Sequence, residues 1–190
     1  MKKRYKKMPE IYLSKVKLRT IEKKDYLDMY DYGKSHEVTR YLSWGPFTDK
    51  KQALYAINHI FKPRLRQGLP IGYAIIDLNT QKMIGTIDFH SKIKGENGAE
   101  IGYALHQDFW NQGIMTEALL KMIDIGFNYL GYDFIKIRHL KGNIASEKVI
   151  QKTPFKRVFE APYTLEKAIG IYPDVMVHYV ITKENYNGNQ

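Results

Sequence analysis

The sequence predicts a mixed α/β (α+β) domain, in which an antiparallel meander of strands is followed by a β-α-β unit and helices flank one central sheet of about six to seven strands. Polar turns at Asn79-Thr80 and Asn97-Gly98 separate three apolar segments, which indicates two successive hairpins. A long apolar helix and a further strand come next, and a strand that follows such a crossover helix lies parallel to the strand before it. No linker or repeat interrupts this order, so we expect one domain over residues 9–190 behind a basic, flexible tail over residues 1–8.

The first half of the chain predicts one strand and two helices. Residues Tyr12 to Arg19 alternate between apolar and polar side chains, as in a half-buried strand. From Glu22 to Lys34 the apolar residues recur at helical spacing. Gly45-Pro46 interrupts the chain, and Thr48 is a suitable N-cap for a second helix that runs to about Arg66.

The second half supplies the remaining strands and two further helices. Residues 113–130 form a helix that is apolar nearly all round, so we expect it to be buried, and Gly131 is suited to end it. A short helix is predicted over residues 145–152. The predicted strands of this half cover residues 72–78, 83–91, 99–105, 134–140, 154–160 and 175–182.

The composition excludes several classes of protein. The 190-residue chain has no cysteine, which rules out a disulfide framework, a thiolate metal site and a cysteine nucleophile, and favours a reducing cytoplasm. No apolar run approaches the roughly 20 residues that cross a bilayer, so no membrane partner is expected. Of the net charge of +10, five charges lie within residues 1–7. No recognised RNA- or DNA-binding motif accompanies them, so nucleic acid is not an expected partner.

A candidate phosphate site lies where a strand leads into the long helix. The apolar segment Ile101 to Leu105 runs through a short polar turn, and Gly113 stands at the helix entrance. A helix start leaves about four backbone N–H groups without intrahelical partners and carries about half a positive charge, and glycine lets a phosphate approach closely. The segment lacks the Gly-Lys-Ser/Thr of a Walker loop and the further glycines of a dinucleotide fingerprint. It predicts a pyrophosphate cradle, with an ordinary strand-to-helix connection as the alternative.

The segment Trp-Asn-Gln-Gly-Ile-Met-Thr-Glu-Ala, which begins at Trp110, resembles the acetyl-CoA-binding motif of the GNAT N-acetyltransferases. Within that superfamily it is similar to the RimJ/RimL-type branch, which acetylates protein N-termini and, in other members, small amines. The resemblance extends over roughly residues 11–185 and preserves the order and spacing of further motifs. These motifs are Lys17-Leu-Arg-Thr-Ile with Lys24-Asp-Tyr, Tyr41-Leu-Ser-Trp-Gly-Pro-Phe-Thr, Met83-Ile-Gly-Thr-Ile, Glu100-Ile-Gly-Tyr and Asn143-Ile-Ala-Ser.

The resemblance implies a GNAT fold, in which the two parallel strands splay apart to admit the pantetheine arm. It also implies acetyl-CoA as co-substrate and no metal, and a basic chain suits so anionic a ligand. Two departures from the family pattern are Met115, where the wider superfamily has a small residue, and Thr153-Pro154-Phe155 in place of Leu-Gly-Phe. The cofactor-binding residues carried over by the resemblance are Leu105, His106, Trp110, Asn111, Gln112, Gly113, Ile114, Met115, Thr116 and Asn143.

An amine must lose a proton before or during attack on a thioester, and a carboxylate can remove that proton directly or through one water. Glu100 is the first candidate, because it begins the strand that leads to the cradle and stands where GNAT enzymes often place a base. The alternative is a carboxylate that caps the strand or pairs with a lysine. Glu117, in the first turn of the long helix, is favoured as a dipole partner rather than a base.

The departing thiolate needs a proton or strong hydrogen bonds. Many GNAT enzymes use a tyrosine after the fifth strand, but this chain has none between Asn143 and Phe155. The resemblance implies that Ser146 serves the sulfur as a hydrogen-bond donor and that Asn143 hydrogen-bonds the pantetheine arm. The alternatives are a local capping role for Ser146 and a turn or N-cap role for Asn143.

An aromatic group could form the wall of the acceptor pocket, as the resemblance suggests, or belong to the core, where aromatic residues are common. Its members are Tyr41, Trp44 and Phe47. Three histidines without metal-ligand spacing are interpreted as structural: His90, His106 and His178.

We therefore expect an acetyl-CoA-dependent N-acetyltransferase that acts on a primary amine by direct transfer. The N-terminal α-amino group of a protein, ribosomal proteins included, is one acceptor class. Two alternatives stay open: acetylation of a small amine (a polyamine, aminoglycoside or amino acid), and a non-catalytic module that binds acyl-CoA. The resemblance is also compatible with a homodimer.

Overall fold

The computed structural model describes residues 7–187, and it confirms the mixed α/β fold. The strands are β1 Ile11–Tyr12, β2 Val16–Thr20, β3 Tyr73–Asp77, β4 Met83–Lys92, β5 Gly98–Leu105, β6 Phe134–Leu140, β7 Lys156–Lys167 and β8 Gly170–Thr182. The α-helices are α1 Tyr26–Gly33, α2 His36–Thr39, α3 Lys50–Ala56, α4 Ile114–Asp124, α5 Ile144–Gln151 and α6 Lys183–Asn187. All eight of these strands form one mixed sheet in the order β1-β2-β3-β4-β5-β6-β8-β7.

The sheet has eight strands rather than six to seven, because the predicted first strand is in fact two strands. The Leu13 N–H donates to the Val16 carbonyl oxygen at 2.8 Å, which turns the chain back so that β1 pairs antiparallel with β2. Strict alternation covers only Val16 to Arg19, and the adjacent polar residues Ser14 and Lys15 lie at the turn.

The hairpins β3–β4 and β4–β5 are antiparallel, as predicted, and β2 also pairs antiparallel with β3. The turn before β5 is not at Asn97-Gly98, however, since Gly95 carries the positive φ of +79°. Gly98 instead opens β5, where a Cβ atom would lie 2.3 Å from the Phe134 ring. Asn97 donates its side-chain N–H to the Gly131 carbonyl oxygen at 2.7 Å, which fastens this turn to the end of the neighbouring helix.

The two parallel strands separate, as the resemblance implies. Pairing between β5 and β6 runs from Gly98 beside Phe134 to Ile101 beside Ile137. Both strands continue beyond that point, β5 to Leu105 and β6 to the end of its own range, without pairing with each other. A gap therefore opens in the middle of the sheet.

The four predicted helices occur in the predicted order, helices α2 and α6 were not predicted, and one predicted cap is wrong. Asp49, rather than Thr48, is the N-cap of α3, and its side chain accepts from the Lys51 N–H at 2.7 Å. This helix continues through a π-helical turn and a 3₁₀ segment to residue 67. Helix α4 continues through a π-helical turn to Leu130, and Gly131 ends it in a left-handed conformation, as predicted.

Strands β7 and β8 are longer than the predicted ranges 154–160 and 175–182, and they form a long hairpin. Strand β8 lies between β6 and β7, so β7 is an edge strand of the sheet. Strand β8 pairs with β6 only from Met176 onwards, so the outer half of the hairpin projects beyond the sheet.

The core has two layers, one on each face of the sheet. Helix α4 packs with strand residues such as Ile87 and Phe89 on one face, and α1 and α3 pack with Ala74 and Ile76 on the other. Met8, assigned to the tail by the sequence, is only 2% exposed and belongs to the first layer. The ordered packing therefore begins within the predicted tail, while residues 1–6 lie outside the described residues.

Candidate active site

A cavity of about 560 Å³ opens where β5 and β6 separate. We call it the splay cavity. It extends from the aromatic loop after α2 to the first turn of α5. It therefore reaches both faces of the sheet. The residues expected to act in catalysis or to contact the acceptor all line it: Glu100, Ser146, Tyr41, Trp44 and Phe47.

The aromatic loop forms one wall of the cavity and is also part of the packing. Trp44 stacks on Phe47 with ring centroids 5.1 Å apart, and Tyr32 meets Trp44 edge-on at 6.4 Å. A Cβ atom at Gly33 would lie 2.5 Å from the Phe47 ring, so this glycine allows the loop to rest on α1. These half-buried rings therefore line the cavity and also pack against the core, and their contact with an acceptor stays a prediction.

Glu100 lies on the cavity wall and pairs with an arginine rather than a lysine. Its Oε1 atom is 2.6 Å from Arg138 Nε and 3.4 Å from His90 Nε2. This buried oxygen therefore belongs to an ion pair with Arg138. Burial acts to raise the pKa of Glu100, but the hydrogen bonds and charges of His90 and Arg138 outweigh burial and hold the pKa below its usual value. The carboxylate is thus charged near neutral pH and has its main partner in Arg138.

His90 also lines this cavity, a position that the sequence analysis did not predict. Its Nδ1 atom is 2.7 Å from Ser91 Oγ. A Cβ atom at Gly102 would lie 2.8 Å from His90 Cδ2, so only glycine leaves room for the ring on the neighbouring strand. The register between β4 and β5 shifts between Phe89 and Ser91, and a bulge of this kind re-aims a side chain. Period-two alternation alone does not reveal it.

A second charged pair lies deeper in the cavity, and it was also not predicted. Arg64, from the 3₁₀ segment after α3, forms a buried ion pair with Asp88 of β4. Burial lowers the pKa of Arg64 to about 10. The guanidinium also lies over the Phe61 ring, 4.5 Å from its centroid. Two carboxylates therefore face the cavity, and each is neutralised by its own arginine.

The predicted cradle has the backbone geometry that an anion requires. Gly113 has φ +80° and no atom within 4 Å of the position a Cβ would occupy, and Asn111 is also left-handed at φ +59°. The first intrahelical bond runs from the Glu117 N–H to the Gly113 carbonyl oxygen at 3.1 Å. The N–H groups of residues 114–116 therefore have no intrahelical acceptor. Trp110 closes the turn by donating its Nε1–H to the Leu105 carbonyl oxygen at 2.8 Å.

The other predicted cofactor-binding residues near the cradle either have buried side chains or lie at the surface beside it. The side chains of Leu105, Ile114 and Met115 are buried, so only their backbone can face a ligand. Met115, the departure from the superfamily pattern, is thus accommodated in the core. His106 accepts the Asp108 N–H at 3.2 Å, and Gln112, Asn111 and Thr116 lie at or near the surface.

The β1–β2 turn places Ser14 and Lys15 next to the cradle. Lys15 Nζ is 3.4 Å from Gln112 Oε1, which places a positive charge beside the cradle. Glu117 accepts hydrogen bonds from the N–H and Oγ of Ser14. Glu117 therefore ties this turn to α4 and is occupied structurally. Sequence reasoning could not find either contact, because the partners are about 100 residues apart in the chain.

The far end of the splay cavity is formed by the start of α5. Asn143 is the N-cap, and its Oδ1 accepts the Ser146 N–H at 3.2 Å, so the capping alternative for Asn143 is confirmed. Both side chains line the cavity. The Tyr103 O–H donates to the Ser146 carbonyl oxygen at 3.4 Å, and burial raises the pKa of Tyr103 far above its usual value. Tyr103 on β5 therefore lies at this end of the cavity, where the search of residues 143–155 could not detect it.

Two general features complete the description of residues 7–187. No group of three or more histidine, aspartate or glutamate side chains in this part of the chain is arranged to hold a metal ion. None of its helices is long and apolar enough to cross a membrane.

Comparisons with known proteins agree on the family. A model of the acetyltransferase (GNAT) domain family matches residues 15–156. The uncharacterized N-acetyltransferase p20 of Bacillus licheniformis is 35% identical over 179 residues, which cover 93% of this chain and 98% of that protein.

Solved structures share the fold. RimL, described as a ribosomal L7/L12 α-N-protein acetyltransferase, has a TM-score of 0.76 at 22% identity, over 92% of this chain and 94% of its own. The spermidine N-acetyltransferase of Vibrio cholerae, in complex with CoA and spermine, has a TM-score of 0.75 at 14% identity, over 92% of this chain and 99% of its own. The domain match over most of the chain, together with the similarity to p20, shows that this chain belongs to the GNAT family of N-acetyltransferases.

Proposed function

We propose that this chain transfers an acetyl group from acetyl-CoA to the N-terminal α-amino group of a peptide or protein, ribosomal proteins included. The observation that carries the proposal is the charge arrangement of the splay cavity. Glu100 and Asp88 both line the cavity, and Arg138 and Arg64 neutralise the charges of these two carboxylates.

The cradle supports the acetyl-CoA part of the proposal. GNAT acetyltransferases use acetyl-CoA, which supplies the acetyl thioester when bound. The free N–H groups of residues 114–116, the open face at Gly113 and the charge of Lys15 suit a pyrophosphate. The gap between β5 and β6 opens into the splay cavity, and β5 ends at Leu105, a short turn before the cradle.

The neutralised carboxylates favour an α-amine over a polyamine. A polycation gains affinity from a site with excess negative charge, and here each carboxylate is already paired with an arginine. An α-amino group has a pKa of about 7.7 to 8, so about a tenth of it is neutral at pH 7, whereas a lysine-like amine near 10.4 is almost wholly charged. A single ammonium that loses its proton readily therefore suits Glu100 best.

The α5 end of the cavity supports a role in stabilising the sulfur. Ser146 and Tyr103 both line the cavity at the helix start, and the Tyr103 O–H donates to the Ser146 carbonyl oxygen. A hydroxyl is a poor acid, so in this proposal Ser146 donates a hydrogen bond to the sulfur. Burial raises the pKa of Tyr103 and keeps its proton in place, and that proton is donated to the Ser146 carbonyl oxygen, which positions Ser146 at the start of α5.

The test is a turnover assay that detects the thiol released from acetyl-CoA, with matched acceptors. One alanyl peptide has a free α-amine and no lysine, and its control has a blocked α-amine and one lysine. Spermidine and an aminoglycoside complete the set. We expect the highest kcat/KM with the free α-amine and little turnover of the blocked peptide. A kcat/KM that is higher for spermidine than for the peptide would contradict the proposal.

A further inference from the structure

A second cavity lies beside the splay cavity, and we call it the hairpin cavity. It has a volume of about 450 Å³ and lies between α2, the loop that follows it and the outer half of the β7–β8 hairpin. This half of the hairpin projects beyond the sheet, because β8 pairs with β6 only from Met176 onwards. The two cavities share Tyr41, Leu140 and Leu165 as lining residues. They are therefore immediate neighbours on the side of the aromatic loop.

Lys167 is a half-buried cation that lines the hairpin cavity. Its Nζ donates to the Thr39 carbonyl oxygen at 2.8 Å, which holds the tip of the hairpin against α2. Within the described range 7–187, no carboxylate oxygen lies within 4 Å of this nitrogen. An ammonium has three N–H donors, so two remain for a ligand. Burial lowers the pKa of Lys167, and a carboxylate that enters the cavity supplies the counter-charge that a cation withdrawn from water lacks.

The other charged groups of the hairpin cavity lie elsewhere. Arg40 lies over the Tyr41 ring, 5.2 Å from its centroid. Asp174 lies beside the same tyrosine, since its Oδ2 and the Tyr41 hydroxyl are 3.3 and 3.2 Å from the point where a Cβ at Gly142 would stand. Two more ionisable side chains are exposed on α2: His36 and Glu37. The opposite charges of Arg40 and Asp174 therefore offset each other near the wall that the two cavities share.

The register of the hairpin places Lys167 far from that wall. Asp174 pairs with Tyr163, and Lys167 pairs with Gly170, four positions further towards the tip. A strand rises about 3.3 Å per residue, so the two positions are about 13 Å apart. An extended peptide covers about the same distance in four residues. A polypeptide whose first residue lies in the splay cavity therefore brings an acidic side chain of its third to fifth residue within reach of Lys167.

We propose that Lys167 binds an acidic side chain at the third to fifth residue of the acceptor, whose chain runs from the splay cavity into the hairpin cavity. The inference rests on the proposed function and names its substrate class: polypeptides with an acidic residue close to a free α-amine. The contact is a charge-assisted hydrogen bond from Nζ to the carboxylate. Lys167 does not touch the reacting atoms, so it affects KM rather than kcat.

The first test compares alanyl peptides that carry glutamate at one position from the second to the eighth with peptides that carry glutamine there. We expect kcat/KM to be about 5- to 20-fold higher for glutamate at one position from the third to the fifth, with the difference in KM. At the seventh and eighth positions the two residues should be equivalent. A wild-type enzyme that acetylates these peptides without distinguishing glutamate from glutamine would overturn the inference and leave the proposed function intact.

Variants of Lys167 identify the cation that is responsible. Lys167→Gln should abolish the preference for glutamate, and Lys167→Glu should reverse it in favour of peptides with lysine at the same position. A reversed preference is a gain that a folding defect does not produce. The control is Lys156→Gln, which removes an exposed lysine of the same strand that lines neither cavity, and it should keep the wild-type preference. A preference for glutamate that survives in Lys167→Gln or Lys167→Glu would place the acidic side chain elsewhere.

A binding measurement separates the inference from the proposed function. The probes are the N-acetylated product peptides with glutamate or glutamine, labelled at the C-terminus, and the readout is fluorescence anisotropy in the presence of CoA. We expect the glutamate product to bind about 5- to 20-fold more tightly to the wild type and equally with the glutamine product to Lys167→Gln. Equal Kd values for the two products on the wild type would contradict the inference. An enzyme that acetylates none of the peptides would contradict the proposed function.

Discussion

Replacing Gly113 tests the cradle, and the chain provides a matched control for it. Gly113 and Gly131 stand at the two ends of the same long helix with φ values of +80° and +76°. Neither has an atom within 4 Å of the position that a Cβ would occupy. Gly113→Ala and Gly131→Ala therefore introduce the same backbone strain and no clash. They differ only in that the Gly113 methyl group stands in front of the free N–H groups.

The expected magnitudes follow from this geometry. An L-residue in the left-handed region costs about 1–2 kcal/mol. In a domain of this size each kcal/mol lowers the melting temperature by about 2–4 °C, so both variants should melt about 2–8 °C below the wild type. Acetyl-CoA at 100 times its Kd stabilises the native state by about 2.7 kcal/mol. A tenfold loss of affinity removes about half of that stabilisation.

The assay is a thermal melt of each protein with and without acetyl-CoA, with ATP and NAD as comparison ligands. We expect a clear acetyl-CoA shift for the wild type and for Gly131→Ala. The shift should be halved or smaller for Gly113→Ala, and small for ATP and NAD in all three proteins. Equal acetyl-CoA shifts in the two variants would refute the reasoning and place the pyrophosphate elsewhere.

Three further predictions concern the cavity, the tail and acid stability. Tyr103→Phe should lower kcat about five- to tenfold, because a hydrogen bond contributes about 1–1.5 kcal/mol; unchanged steady-state kinetics would assign the ring to packing alone. Deleting residues 1–7 should leave acetylation of a small amine nearly unchanged, whereas also removing the buried Met8 should cost about 1.5–3 kcal/mol in urea unfolding. The hydrogen bond from Lys121 lowers the pKa of Asp124, so its stabilising effect is present above the unfolded-state pKa and is lost as pH falls through the folded-state value. Asp124→Asn should therefore cost a few tenths of a kcal/mol at neutral pH, and the difference from wild type should vanish on acidification; a difference that persists in acid would contradict the ion-pair explanation.

Local patterns were sufficient to predict most of the elements. The apolar period of the long helix and the glycine at each of its ends depend on residues within one or two turns, and the structure confirms both ends. The predicted positions of β3, β5 and β6 likewise follow from short apolar runs between turn signals. Gly95 and Gly98 are both residues that favour turns. The sequence analysis placed the turn at Asn97-Gly98, whereas the structure places it at Gly95. The choice depends on Phe134, which occupies the space beside Gly98.

The candidate site was predicted in part for the same reason. Residue type and motif order indicated Glu100, the cradle and the start of α5, because each motif is a contiguous segment. The sequence could not indicate which groups face them across the sheet. His90 lies near Glu100 because the register between β4 and β5 shifts beside it, and because Gly102 has no side chain in the space that the His90 ring occupies.

The sequence by itself therefore determined the order of the elements, the glycine at the helix entrance and the residue types available for chemistry. These depend on local backbone preferences and on the periods 3.6 and 2. Only the tertiary structure decided that Arg138 neutralises Glu100, that Arg64 neutralises Asp88, and that β5 and β6 part beyond Ile101. Each of these contacts joins residues far apart in the chain. Their geometry is set by strand register and by the packing of both layers, which no local pattern encodes.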